Sequence, residues 1–340
     1  MGATMRYIMY GAGAIGGICG GKLHLAGHEV ILIARGEHLR VIQQDGLTLK
    51  TPDETMTLPI AAVSHPSQIE FRAGDVVVLT MKSQDTAAAL DDLRAAAGDQ
   101  VTVACAQNGI ENERMALRRF ANVYGMVLLM PATYLEPGVV EASAWPVVGV
   151  ADLGRYPAGV DATAETIAAE WDAAGMASIA RDDIMRWKYT KLLQNVSNAV
   201  GAVCGDDADS SALQDMVRDE TRQCFRAAGY EWIPGPQLTA RRAEVLPSPT
   251  GPSNISSVVR TRGGSSTWQS LVRGAGSSEG DYLNGEIALL GRLHGIPTPA
   301  NEVFQALSDQ LARERKQPGS VTLEEVTKLI DERRTAYATA

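Results

Sequence analysis

At 340 residues the chain is too long for one ordinary hydrophobic core, and a length prior of roughly 100 to 200 residues per domain points to two domains. With 45% apolar and 21% charged residues it has a globular composition, and a net charge of −9 excludes the basic field that draws nucleic acid or an anionic membrane. Any anionic ligand must therefore be held by local positive groups.

From the start to about Leu153, short apolar runs alternate with helical patterns. RYIMY (6–10), EVILIA (29–34), DVVVLTM (75–81), VTVACAQ (101–107) and NVYGMVLLM (122–130) read as strands of a sheet buried on both faces. Helices are expected to begin at Ala14, Glu37, Ser83 and Glu111. This alternation implies a parallel, doubly wound sheet. Tyr134 to Val150 reads as a further β segment turning at Pro137-Gly138.

Beyond about Asp161 only helical patterns are expected. They are 162–176, one long helix over 182–200, 211–229 ending at Gly229, then 284–295, 303–315 and 322–334. The last opens with Thr322 three residues before Glu325, a capping-box spacing. PSPTGPS (247–253) is a surface loop by composition. The expected architecture is an N-terminal α/β doubly wound domain over 1–181 followed by an all-helical domain over 182–340.

No run approaches the ~20 apolar residues of a membrane helix, and MGATMRYIMYG lacks a secretory leader pattern. Cys19, Cys105, Cys204 and Cys224 are scattered, without metal-ligand spacing. A cytoplasmic protein with reduced thiols and no metal site is expected.

With 33 glycines in the chain, a Gly-x-Gly-x-x-Gly string is weak evidence alone. Here, however, Gly11, Ala12, Gly13, Ala14, Ile15 and Gly16 lie between a strand and a helix. In that setting the first glycine permits the tight turn, the second admits a pyrophosphate and the third lets helix and strand approach. The second strand ends in Arg35, where an NAD site would carry Asp or Glu. A guanidinium there grips a 2′-phosphate, so NADPH is the expected cofactor. Lys82 and Asn108 follow the next two strands, at the sheet edge where doubly wound folds bind ligands. In the long helix, Lys191, Asn195 and Asn198 stand at i, i+4 and i+7 on one face. A lysine there could protonate a carbonyl that accepts hydride. A carboxylate at Glu279, if near Lys191, would keep that amine protonated; the plain alternative is an acid at a helix N-terminus.

GAGAIGG, Arg35, MKS, QNG, the KLLQN helix and SSEGDYLNGEIALLGRLHGIPTPAN together resemble the ketopantoate reductase (2-dehydropantoate 2-reductase) family, from about residue 5 to about residue 310. The resemblance implies a Rossmann domain, a helical domain, and NADPH-dependent reduction of a 2-oxo acid, ketopantoate, to a 2-hydroxy acid on the route to pantothenate. It implies Lys191 as proton donor and substrate contacts at Asn108, Asn195 and Ser266; Asn198 is expected to hold substrate beside Asn195 from its place on the helix face alone. It also places Lys82, Asn108 and Glu279 along the cofactor.

The substrate side departs from the family pattern. The second asparagine is expected where Ala199 stands, one position after Asn198, and a later asparagine is replaced by GDDADSS, whose Asp206, Asp207 and Asp209 would repel a carboxylate. The added C-terminal helix would cover the site or an oligomer interface such as that of a homodimer. Two other readings stay open: an NADP-dependent enzyme for another small carbonyl compound, and a non-catalytic NADP sensor. The expected partner is a small-molecule 2-oxo acid, with no nucleic acid and no membrane.

Overall fold

The computed structural model describes residues 5–205, 209–245, 265–274 and 276–339. PSPTGPS, Asp206 and Asp207 lie outside them. Among the described residues the contacts divide into two units, one of 5–107, 112–188 and 234–245, the other holding the remainder.

The first unit is built on seven strands in the order β11-β8-β7-β6-β1-β2-β5. They are β1 (Arg6–Tyr10), β2 (Val30–Ile33), β5 (Ala61–Val63), β6 (Asp75–Leu79), β7 (Thr102–Cys105), β8 (Asn122–Leu129) and β11 (Val150–Arg155). All pairs are parallel except β11 with β8. Alternate side chains enter different cores: Tyr7, Met9, Val76 and Val78 pack on one face, and Ile8, Val77, Leu79 and Val103 on the other. Burial on both faces is why these strands read as unbroken apolar runs.

A second sheet, in the order β4-β3-β10-β9, joins β3 (Leu47–Lys50) and β4 (Thr55–Leu58) to β9 (Ala132–Glu136) and β10 (Val139–Ala142). It packs against helix α1 (Ala14–Leu25), where a Cβ on Gly17 would come within 2.6 Å of Val140. Helices α2 (Gly36–Asp45), α3 (Thr86–Ala97), α4 (Asn112–Leu117) and α5 (Ala162–Ala173) link or cover the strands. The expected starts at Ser83 and Glu111 move inward, because Ser83–Asp85 forms a 3-10 turn and α4 opens at Asn112. Asp152, buried on β11, binds the guanidinium of Arg181 and that of Arg241 at 2.8 Å, which anchors α9 (Gly235–Ala243) to this unit.

The expected long helix over 182–200 is two helices, α6 (Ile184–Asn195) and α7 (Asn198–Cys204). At the break the Val196 carbonyl accepts 3.0 Å from the Asn284 amide. Asn284 in turn donates to Asn301, and Asn301 donates to Glu220 at 2.8 Å. Glu220, on α8 (Ser211–Ala227), accepts from the backbone N–H groups of Ala300 and Asn301 at the start of α12 (Pro299–Arg313). Burial raises the Glu220 pKa, while these hydrogen bonds oppose the shift. This buried polar chain fixes where α6 stops. The other helices of the second unit are α10 (Ser266–Val272), α11 (Asn284–His294) and α13 (Leu323–Thr339). The last carries the expected capping box, with the Thr322 N–H 2.8 Å from the Glu325 carboxylate and the Glu325 N–H 3.2 Å from the Thr322 hydroxyl. Among the described residues no helix is long and apolar enough to cross a membrane.

Candidate active site

Registers β1–β2 and β1–β6 end together at Tyr10↔Ile33 and Tyr10↔Leu79, so Gly11, Arg35 and Lys82 all follow strands that stop at one edge of the sheet. Gly11 has φ +109°, which an L side chain rarely adopts, and a Cβ there would lie 2.8 Å from the Met81 nitrogen. A Cβ on Gly16 would collide with the Gly11 carbonyl, so helix and turn meet only because glycine stands there. The Thr80 hydroxyl donates to that same carbonyl at 2.5 Å. In front of Gly13 a Cβ would meet nothing within 4 Å. Gly13 caps α1, whose first turn carries no acid. An open helix N-terminus of this kind could hold a pyrophosphate through its backbone N–H groups.

Arg35 heads α2 with its side chain 70% exposed and lies 3.8 Å from Asp85, a loose pair that leaves the guanidinium reachable by a phosphate. Lys82 precedes the 3-10 turn and is half-buried.

A buried cluster that the sequence reading passed over lies behind this edge. Lys188, 3% exposed, pairs with the fully buried Glu113 and donates to the Gln107 carbonyl at 3.0 Å. Gln107 donates to Thr86, Thr86 to Asn112, and Asn112 to Ser83. These bonds tie the loops after β6 and β7 together. Lys188 falls one turn before Lys191 on α6, and only its place one turn after the buried Ile184 and Met185 signals its burial.

The second unit holds Asn108, Lys191, Asn195, Asn198, Ser266 and Glu279. Lys191 is half-buried on α6. Asn195, at 5% exposure, is the last residue of α6, and its side-chain oxygen has no hydrogen-bond partner among the described residues. Such an orphaned acceptor costs roughly 1–3 kcal/mol unless a donor arrives. Because the helix breaks at 196–197, Asn198 does not continue the Lys191–Asn195 stripe. It opens α7, and its carbonyl accepts from Ser265, the cap of α10, at 3.3 Å. Ser266 is the first residue of α10. Glu279 does not start an α-helix; it precedes the 3-10 turn Gly280–Tyr282, and its carbonyl accepts from Tyr282 and Leu283. The Tyr282 phenol pKa is raised by burial and then by the charges of Asp281 and Glu111. Asp209 is exposed and accepts from the Ser211 hydroxyl at 2.8 Å.

A parallel sheet carrying this glycine turn, joined to a helical unit with a half-buried lysine and a buried asparagine, defines the chain as an NAD(P)-dependent oxidoreductase. The sequence profile of the ketopantoate reductase PanE/ApbA family matches residues 7–155, and that of the family's C-terminal region matches residues 183–312. The chain belongs to this family. It is 30% identical to the 2-dehydropantoate 2-reductase of Mesorhizobium japonicum, over 92% of this chain and 99% of the relative, and 28% identical to that of Pyrococcus horikoshii, over 89% and 96%. Among solved structures, a PanE/ApbA family ketopantoate reductase from Ralstonia eutropha superposes with a TM-score of 0.75 at 30% identity, covering 92% of this chain and 99% of that one. D-mandelate dehydrogenase, solved with NADH and anilino(oxo)acetate, shares the fold with a TM-score of 0.77 at 22% identity, over 92% and 99%.

Proposed function

We propose that the protein reduces ketopantoate to pantoate with NADPH, as a cytoplasmic step of pantothenate synthesis, with residues 1–181 supplying most contacts to the cofactor and 182–340 most contacts to the substrate. The observation that carries the reading is Asn195. A buried amide oxygen without a donor, one helical turn after a lysine, suits a substrate that brings its own hydroxyl.

Gly11 to Gly16 would hold the pyrophosphate and Arg35 the 2′-phosphate, with Lys82, Asn108 and Glu279 along the rest of the cofactor. When bound, the nicotinamide supplies the hydride. Lys191 would hold its proton at the carbonyl oxygen of the 2-oxo acid, neutralise the charge that develops there and deliver the proton to the new hydroxyl. Asn108, Asn195, Asn198 and Ser266 would orient the substrate, and Glu279 would keep the lysine charged.

The experiment is loss of NADPH absorbance with ketopantoate beside pyruvate and 2-oxoisovalerate. Turnover selective for ketopantoate upholds the reading. A second reading, reduction of another 2-oxo acid, is favoured by Asn198 opening α7 and by the fold shared with D-mandelate dehydrogenase, whose bound anilino(oxo)acetate is itself an oxo acid. Tight NADPH binding with turnover of a bulkier oxo acid alone would select it.

A further inference from the structure

His38 stands in the first turn of α2, three residues after Arg35, and is 8% exposed. Its ring has two partners, and one placement of the proton satisfies both. The Gly138 backbone N–H can only donate and lies 2.8 Å from Nδ1, so Nδ1 carries a lone pair. The Ala12 carbonyl can only accept and lies 2.7 Å from Nε2, so Nε2 carries the hydrogen. The imidazole is neutral in its Nε2–H form, and burial, which lowers its pKa, acts in the same direction.

Both partners are themselves constrained. Gly138 has φ +77°, its carbonyl accepts from the Thr48 N–H at 2.8 Å, and Val41 leaves no space for a Cβ. The Tyr134 ring lies 4.6 Å from the imidazole, centroid to centroid. Ala12 is the second residue of the glycine turn. In a planar trans peptide the carbonyl and the following N–H point in opposite directions. Drawing the Ala12 carbonyl towards His38 therefore aims the Gly13 N–H away from it.

We propose that His38 is a positioning residue for the dinucleotide: it orients the Ala12–Gly13 peptide so that the Gly13 N–H meets the pyrophosphate, and it ties that cradle to the helix headed by Arg35. This rests on the NADPH reading above. No contact between His38 and the cofactor is needed.

The test compares His38→Asn with His38→Gln. An Asn amide oxygen stands near the position of Nδ1 and keeps the Gly138 bond, but the side chain is too short to reach Ala12. A Gln amide N–H reaches the position of Nε2 and keeps the Ala12 bond. NADPH dissociation constants are measured by fluorescence titration, with kcat at saturating NADPH and the thermal midpoint of each protein. His38→Asn is expected to bind NADPH about tenfold more weakly, with kcat unchanged, whereas His38→Gln stays within about threefold of wild type. Equal NADPH affinity for wild type and both variants would overturn the proposal. So would equal losses for both in step with their thermal midpoints, which is what a merely structural histidine gives. If neither variant folds, 15N spectra of the wild-type imidazole decide, and a protonated Nδ1 overturns the assignment. A wild-type protein that binds neither NADPH nor NADH would remove the cofactor reading itself, and this inference with it.

Discussion

The glycine edge of the first unit and the α6–α7 junction of the second are built from different material. At the first, backbone does the shaping: a positive φ at Gly11, contact of Gly16 with the Gly11 carbonyl, and open space before Gly13. At the second, side chains do it, with a buried asparagine chain ending α6 and leaving the Asn195 oxygen unmatched. A backbone cradle tolerates many side-chain changes provided the glycines stay. A side-chain site changes specificity with a single substitution or a one-residue shift of the helix break. The family's cofactor chemistry and its substrate range are thus expected to vary independently.

The largest effect that would sharpen this contrast is in the second region. Lys191→Ala is expected to lower kcat by about 10²–10⁴-fold while NADPH affinity stays within twofold or so, measured by steady-state kinetics beside fluorescence titration. An active variant would break the assignment. Next is Lys188→Met, which leaves the Glu113 carboxylate buried without its ammonium. Urea unfolding should show a loss of about 3–5 kcal/mol, and a change under 1 kcal/mol or so would mean that the pair is not a structural anchor. In the first region, Arg35→Ala should weaken NADPH by about 10–100-fold and leave NADH nearly unchanged, since only the 2′-phosphate is lost as a partner. Equal losses for the two cofactors would place the specificity elsewhere. The smallest expected effect is Thr322→Ala, which removes the capping hydroxyl of α13 and should cost about 1 kcal/mol of stability without touching kcat.

Legibility followed the same division. The five strands read from continuous apolar runs were found within a residue or two of their ends, because burial on both faces leaves no other pattern. The edge strand Ala61–Val63 and the second sheet's Leu47–Lys50 and Thr55–Leu58 went unread. They are three or four residues long and half-exposed, and LTLK and TMTL alternate too briefly to stand out from a loop. The glycine turn was legible because its motif states a backbone requirement directly. The break after Asn195 was not, since nothing in LLQNVSNAV forbids a continuous helix. What ends it is Asn284, 88 residues further along the chain. Lys188 and Glu113 were missed for a similar reason: a buried ion pair is recognised only when both members are seen to share one interior.

The bond between Asp152 and Arg241 bears on the order in which the chain is made. Asp152 sits fully buried on β11, yet one of its two guanidinium partners is translated 89 residues later, after the 189–233 segment of the second unit. Until then the nascent first unit must keep a buried carboxylate balanced by Arg181 alone. A gene cut before residue 234 would make that temporary state permanent, so the first unit is a poor candidate for expression as a fragment ending there. A version with 234–245 restored through a short linker would be the form to try.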